Sequence, residues 1–369
     1  MEAYLDNSAT TRCSDRACQL MVDLLTKDYG NPSSLHMKGI EAERFVETAK
    51  KKIAKTLRVS EKEIIFTSGG TESNNLAIIG AAMANRRAGN HIITTSIEHA
   101  SVENPMEFLK EQGFEITYLS VDENGIISLE ELEEAVTEQT ILVSMMQVNN
   151  EIGAIEPVAE AAELIKKKNP DTLIHVDAIQ SYGKMYIYPK KLGIDMLSVS
   201  GHKIHGPKGS GFLWVKEKTK LKPLILGGGQ QKGMRSGTEN VPAIAGLGEA
   251  AEEIYENLDE KRAHLYGLKQ RFIDGIEKLE GTHVNGKTGE DSAATEITDA
   301  AGLSSCSYSA LAAVTEMVSV LAITDVDAVP TTDVAQSSGS YLFFAAAAAA
   351  VSKCPQHCHL LPFCSNNIS

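Results

Sequence analysis

The sequence predicts an α/β fold, with a mostly parallel central sheet flanked by helices and a smaller companion domain. Three observations carry this. Short apolar runs of strand length alternate with stretches of helical period between residues 63 and 215, and such alternation builds parallel sheets with helical crossovers. Glycines and small polar residues punctuate the ends of strands, as in Ser68-Gly69-Gly70-Thr71 and Ser200-Gly201. At 369 residues the chain is also too long for one simple core.

Each element follows in order. Asp6-Asn7-Ser8-Ala9-Thr10-Thr11 is a polar opening loop. Ala17, Leu20, Met21, Leu24 and Leu25 recur at helical spacing, which predicts a helix over 15–27; Cys13 and Cys18 near its start read as core or surface thiols. Tyr29 to His36 is rich in turn residues and forms a connector. Residues 39–57 are amphipathic, and Lys50, Lys51, Lys52 and Lys55 read as a solvated helix face. Strands are predicted at Glu63–Thr67, His91–Thr95, Glu115–Val121, Ile141–Met145, Leu173–Asp177, Asp195–Val199 and Gly211–Val215, and helices at Leu76–Ala84, Leu129–Val136 and 157–168. A second glycine-rich loop spans 226–240, and helices fill 243–279. The predicted division is a large domain over 15–250, a smaller one from 1–14 plus 251–288, and an anomalous tail over 289–369.

Bulk properties narrow the function. The 43% hydrophobic and 23% charged content is ordinary for a globular protein. A net charge of −14 argues against nucleic acid as a partner. The longest apolar run, Tyr341 to Val351, is too short to cross a bilayer, so no membrane partner is expected. The acidic start is unlike a signal peptide, and six scattered cysteines form no evident disulfide framework. The expected location is cytoplasmic.

The chemistry gathers around Ser200-Gly201-His202-Lys203, directly after a buried strand. Burial disfavours the ammonium form, so Lys203 becomes a usable amine that can hold an aldehyde cofactor covalently. Asp177 ends another strand, where it could keep a cofactor's ring nitrogen protonated or simply cap a helix. Strand, Gly69-Gly70-Thr71 and then helix start is the geometry of an anion cradle. His99, after a strand, could stack on a flat ring or be an ordinary polar residue.

Asp177-Ala178-Ile179-Gln180 followed by Ser200-Gly201-His202-Lys203 resembles the core of the cysteine desulfurases, class-V aminotransferase-like enzymes of the pyridoxal-phosphate (PLP) fold type I. The resemblance spans residues 1 to about 288. It implies the PLP-dependent transferase fold type I, with a smaller α+β domain, and pyridoxal 5'-phosphate as cofactor. It implies a reaction that takes sulfur from L-cysteine, leaves L-alanine, and delivers a persulfide to an iron–sulfur scaffold or another sulfur acceptor protein. By the same resemblance Lys203 carries the cofactor, Asp177 faces the pyridine nitrogen and His99 stacks on the ring and transfers protons. Gln180 and Asn150 serve the phenolic oxygen, while Gly70, Thr71, Ser200 and His202 hold the phosphate. Thr238 reaches the phosphate of a neighbouring subunit, which implies a homodimer. Asn31 and His36 lie on the substrate side.

The resemblance stops in the tail. Beyond Gly289, Lys353 is the sole basic Lys or Arg residue, the last arginine is Arg271, and Ala345 to Ala350 is a homopolymer. Such text reads as low-complexity sequence or as an out-of-frame translation. The family takes from this region a mobile-loop cysteine and a carboxylate-binding arginine. No arginine is present there, and Cys306 is the nearest substitute for the cysteine. Cys354, His357, Cys358, His359 and Cys364 do not match zinc-site spacing, so no metal is expected. Two alternatives stay open: a selenocysteine lyase or cysteine-sulfinate desulfinase type of PLP enzyme, and a catalytically defective PLP-binding partner of an intact enzyme.

Overall fold

The computed structural model describes Tyr4, residues 6–278, Val284 and Lys287. Cys306 and the anomalous tail lie outside the described residues. Residues 6–271 belong to one unit; Tyr4, residues 272–278 and Val284 belong to another.

The apolar runs pair into one sheet of seven strands: β1 (Ile64–Thr67), β2 (His91–Thr95), β3 (Glu115–Leu119), β4 (Thr140–Met146), β5 (Leu173–Asp177), β6 (Met196–Ser200) and β7 (Gly211–Val215), in the order β1-β7-β6-β5-β4-β2-β3. Strand β7 runs antiparallel to both β1 and β6, and the other neighbours are parallel. Successive residues enter opposite cores, as the period of two requires. Ile93, Val143 and Leu197 face one core, and Ile92, Leu142 and Met196 face the other. Both faces are covered, which is why the strands read as unbroken apolar runs.

The helices on the first face include α1 (Asp15–Thr26), α2 (Met37–Leu57), α5 (Leu129–Ala135), α6 (Val158–Lys168) and α8 (Val241–Tyr255). The second face carries α3 (Gly70–Asn85) and α4 (Ala100–Glu111). A single turn, α7 (Pro189–Leu192), precedes β6, and α9 (Leu258–Ile276) follows α8. Among the described residues no helix is long and apolar enough to cross a membrane.

Three details depart from expectation. Helix α3 starts at Gly70, six residues before the apolar run that predicts it. Its polar first turn is pinned from outside: Ser73 Oγ lies 2.7 Å from Thr67 Oγ1, and Glu72 accepts Ser68 N–H at 2.8 Å. Strand β3 ends at Leu119, and Val121 instead bridges Ile127. Lys52 is not simply solvated; it pairs with Glu249 and Glu252 of α8, and Arg16 of α1 joins Glu249 and Glu256.

Candidate active site

Strands β1, β2, β4, β5 and β6 all end on the same edge of the sheet, where open α/β folds build their sites. The segments leaving those ends line a cavity of about 340 Å³. Gly70, Thr71, His99, Asn150, Asp177, Gln180, Ser200, His202 and Lys203 all contribute to it. Thr238, Asn31 and His36 do not line it; all three are exposed. Cys306 is outside the described residues.

Lys203 ends a 3-10 turn after β6, and its Nζ donates to the carbonyls of Ser8 and Ala9, the latter at 2.9 Å. Burial lowers its pKa, against the opposing charges of Asp6 and Asp177. The opening loop reaches this place because Thr11 clasps the turn. Its N–H and Oγ1 donate to His202 O at 2.8 and 2.9 Å, and its Oγ1 accepts His205 N–H at 2.8 Å. Burial, then the neighbouring Lys203 and Lys208, brings His202 down to about 4, so its ring is neutral near pH 7.

Asp177 is buried at the end of β5. Its Oδ1 accepts Ile179 N–H at 2.9 Å and its Oδ2 accepts Asn74 Nδ2–H at 2.7 Å. Burial raises its pKa, while those hydrogen bonds and then His99 and Lys203 work to lower it. His99 caps α4 with its ring, Nδ1 accepting Ser101 N–H at 3.0 Å. Gln180 Nε2–H donates to Ser8 O at 3.1 Å.

Gly69, at φ 149°, turns the chain from β1 into α3 in a backbone conformation that favours glycine. Gly70 then opens the helix with its N–H groups unpaired by the helix itself. A Cβ at Gly70 would sit 2.2 Å from Ile179 Cδ1 and 3.4 Å from Ser200 Cβ, so Ile179 would have to shift to admit it. Arg235 ties the second glycine-rich loop to this helix start, with Nε and Nη2 donating to Glu72 at 2.8 and 3.2 Å.

Sequence reasoning missed Asn74, Ser101 and Glu98. Asn74 and Ser101 are buried and hydrogen-bond each other beside Asp177. The Glu98 carboxyl accepts Thr95 Oγ1–H at 2.7 Å and Met146 N–H at 2.8 Å, and its Oε2 is buried with no partner among the described residues. Burial pushes it up to about 8, helped by Asp177 and Glu156.

The aminotransferase class-V family matches residues 3–308. Cysteine desulfurase IscS 1 of Archaeoglobus fulgidus is 46% identical over 283 residues, 77% of this chain and 73% of that protein. Cysteine desulfurase IscS of Methanosarcina thermophila is also 46% identical over 283 residues, covering 77% and 70%. Among solved structures, a NifS-like protein superposes with a TM-score of 0.77 at 43% identity, covering 79% of this chain and 80% of that one. SspA in complex with cysteine gives 0.70 at 36% identity, covering 78% and 81%. The chain belongs to the class-V aminotransferase family, on its cysteine desulfurase branch.

Proposed function

We propose that this chain is a PLP-dependent cysteine desulfurase that acts on L-cysteine and passes the sulfur to an iron–sulfur scaffold or another acceptor protein. The observation that carries the reading is the convergence of a half-buried lysine, a buried acid and a bare helix start on one cavity. Those residues fit pyridoxal phosphate. Gly70, Thr71, Ser200 and His202 would hold the phosphate at the start of α3. Asp177 would face the ring nitrogen, Asn150 and Gln180 the phenolic oxygen, and Lys203 the aldehyde carbon. When bound, the cofactor supplies the electron sink that makes carbon–sulfur cleavage accessible.

The chain's own residues do the rest. Burial keeps a larger share of Lys203 as free amine, the form able to bond carbon. The carbonyls of Ser8 and Ala9 hold that amine at the cavity wall. A buried acid carries its charge at least expense opposite a proton-bearing ring nitrogen, which is the role assigned to Asp177. Met146, Val148 and Ile179 give the cavity an apolar wall. We assign His99 to the ring face, Asn31 and His36 to the substrate side, and Thr238 to the phosphate of a second subunit. The sulfur-accepting thiolate is assigned to Cys306. A cytoplasmic setting is proposed because Cys13 and Cys18 are neighbouring yet free thiols.

A second reading is kept because, among the described residues, no cysteine or arginine lines this cavity. Burial and Cys18 push the Cys13 thiol up to about 11, which makes it a poor nucleophile. The chain would then be a PLP-binding partner without turnover, or a lyase that asks less of a mobile cysteine. The test is spectroscopic and chemical. Purified protein should show a visible absorbance band from lysine-bound cofactor, lost in Lys203→Ala, and L-cysteine should yield alanine and sulfide. A band without products selects the inactive partner, and no band removes the cofactor assignment.

A further inference from the structure

We propose that Asn74 and Ser101 fix the tautomer of His99, holding the neutral ring with its hydrogen on Nε2. His99 Nδ1 accepts the backbone N–H of Ser101 at 3.0 Å. A ring nitrogen that accepts an amide hydrogen carries none of its own. The same Nδ1 lies 2.8 Å from Ser101 Oγ. Which of those two atoms donates is settled one step further back, at Asn74.

Asn74 is fully buried, and its Nδ2 lies 2.7 Å from Asp177 Oδ2 and 2.9 Å from Ser101 Oγ. Asp177 Oδ2 accepts from this nitrogen, so the amide turns its NH2 toward Asp177. The second hydrogen of that NH2 then goes to Ser101 Oγ. With its oxygen accepting from Asn74, Ser101 has its hydroxyl hydrogen available for His99 Nδ1. The orientation is imposed on Asn74 by its two acceptors, since its own Oδ1 is buried without a hydrogen-bond partner among the described residues. Two donors therefore converge on Nδ1, and the ring hydrogen sits on Nε2. That nitrogen has no hydrogen bond to any described residue, and His99 lines the cavity with Asp177 and Lys203.

The consequence for the reaction rests on the function proposed above: neutral His99 meets a bound group as a hydrogen-bond donor and not as a base. The tautomer itself rests on the hydrogen bonds alone. Asn74 and Ser101 are positioning residues acting through His99.

The test needs neither cofactor nor substrate turnover. Full-length protein labelled with 15N-histidine is read by long-range proton–nitrogen correlation, and His99 is assigned by difference from His99→Gln. In the neutral ring, Nδ1 should resonate as an unprotonated acceptor and Nε2 as the protonated nitrogen. A hydrogen on Nδ1, or a mixture of tautomers, overturns the proposal. Ser101→Ala removes the hydroxyl and keeps the amide, so the Nδ1 signal should shift toward a less hydrogen-bonded value, and Ser101→Thr should restore it. An Nδ1 signal unmoved by Ser101→Ala overturns the part assigned to the hydroxyl. Should the variants fail to fold, the wild-type spectrum alone decides the tautomer. Because the apo-protein suffices, failure of this inference and failure of the functional reading are separate results.

Discussion

Glu98 sits next to the site histidine and is the residue whose pH behaviour is most exposed to measurement. Its pKa in the folded protein is pushed up to about 8 from the ordinary carboxyl range, chiefly by burial. The folded state therefore holds a proton that the unfolded chain has released over the window between the two values. Stability falls as pH rises through that window, by about 1.4 kcal/mol per pH unit at most, and levels off above about 8. Glu98→Gln keeps the shape of the protonated acid and cannot ionise. We expect the variant to gain on the wild type as pH is raised from 5.5 to 8, read as the difference in urea midpoints; parallel profiles would place the carboxyl in contact with water. At this scale the sequence was informative about residues that announce themselves by position. Asp177 ends an apolar strand and Lys203 follows one by a single turn, and both reach the cavity. It said nothing of Glu98, Asn74 or Ser101, because an acid in a turn and an amide in a first helical turn look the same whether solvated or buried.

Helices α2 and α8 show how close packing decides what an amphipathic pattern leaves open. A Cβ at Gly248 would lie 2.6 Å from Ala49 Cα and 2.7 Å from Ala49 Cβ, so the two helices cross almost backbone to backbone. Gly248→Ala brings about 1 kcal/mol of helix propensity. Overpacking against backbone costs about 1–3 kcal/mol, and we expect it to prevail. The urea midpoint should fall, and an equal or higher midpoint would mean that the helices stand further apart. The same crossing explains Lys52. Period and charge placed it on a solvated face, yet α8 supplies Glu249 and Glu252 to it. Helix α3 is the other lesson, since its polar first turn is held by Thr67 and Ser68 and not by apolar period. A reader of periodicity starts the helix at Leu76, six residues late.

For the whole molecule, the proposed homodimer draws support from surface that one chain leaves open. Leu226 is 79% exposed and Leu35 is 98% exposed, each within a segment that holds a residue assigned across the interface or on the substrate side. Sedimentation should return twice the 39.8 kDa of one chain. Leu226→Asp should shift it toward monomer, and Thr238→Ala should weaken cofactor binding about tenfold or more, the size of one hydrogen bond to a charged group. A monomer that binds the cofactor tightly would sink the assignment of Thr238. The sequence by itself determined the α/β class, the order of the strands along the chain, and the lysine, acid and glycine turn of the site. These follow from the alternation of apolar runs and from which residue ends each run. Only the tertiary structure decided the strand order across the sheet, the antiparallel placement of β7, and the hydrogen-bond chain from Asp177 through Asn74 and Ser101 to His99. Apart from the Ser101–His99 link, those are contacts between residues far apart in the chain, and local preference carries no information about which distant partner satisfies a buried polar group.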